Sequence, residues 1–202
     1  MSKDGDIFVK DPEIARGIAS KAGWHFGANP ELRSGVIGII SWEKDGVELR
    51  VDVLRSVNGL SDADLVETET LTLKDGIAYC VPAPDIMLKA KLANLDKIPQ
   101  VKRQDERHVR IMIPCCRHYL ADTVGDVRLG RLSEREAVER FMSTHRVTTS
   151  PAARRLDQLC NLKVASAIPN RETLKELTAF PKLRAFYDHQ IEKISSRIRP
   201  SP

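Results

Sequence analysis

Residues 36–57 hold two strand-like runs, VIGIISWE and VELRVDVLRSV, on either side of KDG. An Asp-Gly turn between apolar, β-branched runs is a hairpin signal, because both turn residues tolerate the left-handed backbone that the tightest hairpins need. This feature commits the chain to at least one antiparallel strand pair. A second run of the same kind, ETLTLKDGIAYCV over 69–81, again turns at Asp-Gly. The short apolar run DIFV at 6–9 suits a buried strand.

Between the first strand and the first hairpin, DPEIARGIASKAG over 11–23 reads as a helix. An acid stands at its cap, Pro12 at its first position and Gly23 at its stop, with Ile14 and Ile18 on one face. The stretch GANPELRSG, 27–35, reads as a polar loop. From residue 84 the pattern turns helical. PDIMLKAKLANLDKI carries a stripe of Ile86, Leu88, Leu92 and Leu95. QDERHVRIMIPCCRHYLAD follows as a helix that Pro114 is expected to bend or break. Ser133 and Glu136 form a capping box for the next helix, and two more amphipathic stretches begin at Ser150 and Pro181. The expected fold is α/β (α+β). A small mixed sheet with flanking helices occupies 1–83, and a helical region occupies 84–202.

Several functions are set aside by composition. No run approaches the roughly 18–20 apolar residues of a membrane span, and MSKDGDIFVKD lacks a signal-peptide pattern, so a cytoplasmic protein is expected. A net charge of +4 is too small to argue for nucleic acid by itself. Cys80, Cys115, Cys116 and Cys160 form no CxxC pair and read as reduced, partly buried thiols. The five histidines show no metal-ligand spacing, and neither a Walker-type glycine loop nor G-x-S-x-G is present.

The acids inside strand-like runs ask for an explanation. Asp52 sits in VELRVDVL between Arg50 and Leu54, opposite Val51 and Val53. Burying an unpaired carboxylate there is costly, so Asp52 is solvated, paired or bound to a metal. Asp4 and Asp6, two residues apart, share a face of the first strand. If that strand lies beside the one carrying Asp52, three carboxylates converge, a donor set suited to Mg²⁺ held partly through phosphates. Acid-x-acid is common in this chain, however: Asp62–Asp64, Glu67–Glu69 and Glu134–Glu136 match it too. What separates Asp6 and Asp52 is the apolar run directly after each.

KDGDIFV, a helix and a hairpin ending in RVDVL together resemble the catalytic core of the nucleotidyltransferase superfamily, the polymerase-beta-like fold. YCVPAPDIMLKAKLANLDKIPQVKRQDERHV extends the likeness toward AbiEii-type abortive-infection nucleotidyltransferases, covering about residues 1–120. The resemblance implies metal ligands at Asp4, Asp6 and Asp52, with Asp52 also a candidate base. It implies triphosphate contact by Lys89 or Lys91, and a supporting element at Arg103 and Asp105. The cofactor would be Mg²⁺, or Mn²⁺, with an NTP as substrate and an RNA or protein acceptor. Plain alternatives stand beside these: solvent-facing lysines on an amphipathic helix, and an internally paired helix start at Arg103–Arg107.

The family carries a Gly-Gly or Gly-Ser element several residues before its paired acids, whereas this chain has three residues before Asp4. Gly5 also replaces the usual apolar residue between the acids. The expectation is therefore a chain truncated at its N-terminus, or a degenerate member. The alternative function is a non-catalytic binding or regulatory protein that keeps the fold, either a toxin–antitoxin partner or an RNA-binding module.

Overall fold

The computed structural model describes residues 4–29, 35–66, 68–72, 78–101, 103–170, 174 and 179–191. It is a mixed α/β protein that divides into two compact units, 1–63 and 64–202. The division falls earlier than the change of pattern at residue 84, so the second hairpin belongs with the helices.

In the first unit, β1 (Asp4–Phe8), α1 (Pro12–Ala22), β2 (His25–Ala28), β3 (Val36–Lys44) and β4 (Val47–Leu54) follow in order. The sheet order is β1-β4-β3-β2, with β1 parallel to β4 and the other pairs antiparallel. The β3–β4 turn is the expected one. Asp45 and Gly46 take φ of 52° and 73°, and Lys44 pairs with Val47 across a two-residue loop. α1 begins where the Asp11 side chain accepts from the Glu13 amide, and it ends at Gly23 in the left-handed conformation.

Ile14 and Ile18 of α1 are 54% and 44% exposed, and the helix buries Ala15 and Ala19. These small side chains let the helix backbone approach Ile40 and Val53 closely. Part of the expected polar loop is β2, which includes Gly27 and Ala28. Four residues with one large apolar side chain give no readable alternation; pairing with the longer β3 makes the strand. Trp24, just before it, stacks on Trp42 of β3 with ring centroids 4.4 Å apart.

In the second unit, β5 (Thr68–Thr72) and β6 (Ala78–Pro82) pair antiparallel. The expected turn of that hairpin lies outside the described residues. The helices α2 (Pro84–Lys97), α3 (Asp105–Arg128), α4 (Glu134–Thr148), α5 (Pro151–Cys160) and α6 (Pro181–Phe186) follow, with a 3-10 turn at Val164–Ala167. A π-helical turn, Tyr187–Ile191, continues α6. The capping box of α4 is present, with Ser133 and Glu136 bonded reciprocally. α3 runs unbroken through Pro114, which lies on its exposed side, while Val109, Ile113, Cys116, Leu120 and Val124 continue the buried stripe. Leu88 and Leu92 of α2 pack with Val109 and Ile113 of α3 and Leu156 of α5. Phe141 of α4 anchors a second cluster with Leu120, Leu174 and Leu183. Each fully buried Leu or Phe stabilises by about 1.5–3 kcal/mol. Among the described residues, no helix is long and apolar enough to cross a membrane.

Gly38 marks an irregularity in the β3–β4 register, and a Cβ there would lie 2.6 Å from the Phe26 ring and 2.9 Å from the Gly27 carbonyl oxygen. We expect Gly38→Ala to lower stability by about 1–3 kcal/mol in urea unfolding, through overpacking. An unchanged midpoint would mean that Phe26 moves aside freely.

Candidate functional site

The parallel pairing of β1 with β4 sets Asp6 in register with Asp52, and Asp4 with Arg50. Neighbouring strands lie about 4.8 Å apart, so the Asp6 and Asp52 carboxylates start side by side. They leave the sheet on the face opposite α1. Ile7 and Val53, the next registered pair, pack instead with Ala15 and Ala19. Asp6 is exposed and Asp52 half-buried, and Ile39 of β3 continues their row across the sheet. Along β4, Arg50 donates to Glu48 at 2.8 Å. The side chain of Asp4 lies outside the described part of the chain.

Two adjacent carboxylates supply hard oxygen donors, which fit Mg²⁺ or Mn²⁺ as ions that keep much of their water. Among the described residues, no group of three or more His, Cys, Asp or Glu side chains is placed to hold a metal.

The other expected residues belong to the second unit. Lys89, midway along α2, binds both carboxylate oxygens of Asp64 at 2.8 Å. Lys91 is half-buried, and its charge contributes to the environment of Asp105. Arg103 and Asp105 are joined to each other, with Arg103 Nε 2.5 Å from Asp105 Oδ2. Asp105 opens α3 and is buried, whereas the Arg103 side chain is 40% exposed. Burial pushes the Asp105 carboxyl up. Hydrogen bonds from Arg103 and Gln100, with the charges of Arg103 and Lys91, outweigh it and hold the group below its ordinary value. Gln100 also donates to the carbonyls of Asn94 and Ile98, so this cluster clasps the end of α2 to the start of α3. The paired helix start weighed from sequence is what Arg103 and Asp105 form.

A polar network that the sequence did not single out lies in the same unit. Asp85, in the first turn of α2, is buried and accepts from the Ser143 hydroxyl of α4. Glu69 of β5 accepts from the Tyr119 hydroxyl at 2.8 Å and pairs with Arg140 at 3.0 Å. The Arg140 guanidinium also lies over the Tyr119 ring, 4.9 Å from its centroid. These contacts pin the second hairpin to α3 and α4. Burial pushes the thiol of Cys116 far up, and the charge of Asp85 adds to the effect. This thiol stays protonated and inert. The only sequence signal for the network is Asp85 itself, an acid directly after Pro84 at a helix start.

No family model, curated protein or solved structure matches the chain.

Burial raises the Asp85 carboxyl above its ordinary value, against the pull of the Ser143 hydrogen bond. The unfolded chain has that ordinary value, about 3.9. The folded state therefore binds the proton more tightly. Its contribution is fully present below the unfolded value and is lost as pH rises through the folded one. Asp85→Asn removes this loss and keeps an acceptor for Ser143. The variant should melt above the wild type at about pH 8, and the gap should close toward about pH 3. A wild-type advantage at the higher pH would contradict the assignment.

Proposed function

We propose that the chain is a nucleotidyltransferase-like protein that transfers a nucleoside monophosphate from an NTP to an acceptor hydroxyl. The observation that carries this reading is the register of β1 against β4, which sets Asp6 beside Asp52 on the sheet face away from α1. The motif likeness over residues 1–120 supplies the reaction class.

In this reading Asp6 and Asp52 hold Mg²⁺, with Asp4 as a third ligand on the same strand. When bound, the ion neutralises phosphate charge and favours departure of pyrophosphate. Asp52, half-buried beside Ile39, also takes the proton of the acceptor hydroxyl. The acceptor oxygen then forms its bond to the α-phosphorus, and the bond to pyrophosphate breaks. The motif likeness also makes Lys89 or Lys91 of α2, within the second unit, a candidate point-charge contact for a triphosphate. Arg103 and Asp105 act indirectly, through the α2–α3 clasp that fixes the helix carrying both lysines.

The test is transfer of label from α-³²P-NTP to RNA or protein acceptors in the presence of Mg²⁺. Asp52→Asn should lower the rate at least about a hundredfold, while Asp45→Asn in the β3–β4 turn leaves it unchanged. Full labelling by the Asp52 variant would remove the proposed site. An unlabelled wild-type reaction across NTPs and acceptors would favour the non-catalytic binding protein.

A further inference from the structure

Lys89 already holds an anion. Both Asp64 carboxylate oxygens lie 2.8 Å from its ammonium, much as two oxygens of a phosphate would. The Lys89 side chain is 39% exposed and that of Asp64 only 15%. The ammonium is thus reachable from solvent, while its partner is the more enclosed of the two. Asp64 stands in the turn before β5, outside any helix or strand. The pair is electrically neutral, and a polyphosphate approaching Lys89 meets little net attraction and a carboxylate in the place it would take.

We propose that Asp64 is a built-in competitor for the polyphosphate site at Lys89, holding that site closed until a multiply charged ligand displaces it. This rests on the reading of Lys89 as a triphosphate contact. Because the competing anion carries one charge, the device discriminates by charge. Inorganic phosphate displaces Asp64 poorly, and a triphosphate does so well. The pair also shields the lysine from weak anions in the absence of substrate.

The experiment is calorimetric titration of inorganic tripolyphosphate into the full chain, comparing wild type, Asp64→Asn, Lys89→Met and the double variant. Asp64→Asn should bind about three- to fivefold more tightly, the size expected of one partly exposed charge. Lys89→Met should weaken binding about as much, and the double variant should bind no better than Lys89→Met. Asp64→Ser, with thermal melts of every variant, guards against a folding defect. If Lys89→Met weakens binding while both Asp64 variants bind no tighter than wild type, Asp64 positions the lysine and the competitor is overturned, with the lysine's role intact. If Lys89→Met binds as the wild type does, or no variant binds, the triphosphate reading of Lys89 fails and the competitor with it.

Discussion

The chemistry proposed for the first unit depends on one strand register. β1 and β4 run parallel with Asp6 opposite Asp52, and a slip of one residue would set Asp6 opposite a core valine. The register is held by burial. Ile7 and Val53 are partners on the other face, where Val53 packs against Ala15 and Ala19 of α1. The apolar side of the pair thus fixes where the acids emerge. Parallel pairing matters as much, since it requires the crossover through α1, β2 and β3, and that crossover brings the covering helix with it.

How much of this was legible follows from how local each signal was. The β3–β4 hairpin was readable because Asp45-Gly46 carries its own backbone requirement, and α1 because Asp11, Pro12 and Gly23 punctuate it. β2 was not, because a four-residue strand containing Gly27 owes its form to β3 and to the Trp24–Trp42 stack. The inner face of α1 was not legible, because its alanines carry little hydrophobic signal beside the exposed Ile14 and Ile18, while close helix–sheet contact favours small side chains. For the site, alternation placed Asp6 and Asp52 correctly relative to their own strands. Their adjacency needed the sheet order, which no single strand encodes. Asp64 shared its acid-x-acid pattern with other pairs, and nothing local marks a partner 25 residues downstream.

Several of the described basic residues of the second unit serve as internal ties. Arg110 donates to the Cys160 carbonyl at the end of α5, Arg117 to that of Ser166, and Arg154 to that of Thr149. Arg155 grips Asp96 of α2 through both carboxylate oxygens.

The central claim is that Asp6 and Asp52 form one divalent-cation site, and paramagnetic broadening by Mn²⁺ in backbone NMR spectra reads it directly. The account predicts that trace Mn²⁺ broadens the amides of Asp6, Asp52 and Ile39 first, and that Asp6→Asn with Asp52→Asn abolishes the effect. Broadening centred elsewhere on the chain, or unaltered in the double variant, would contradict it.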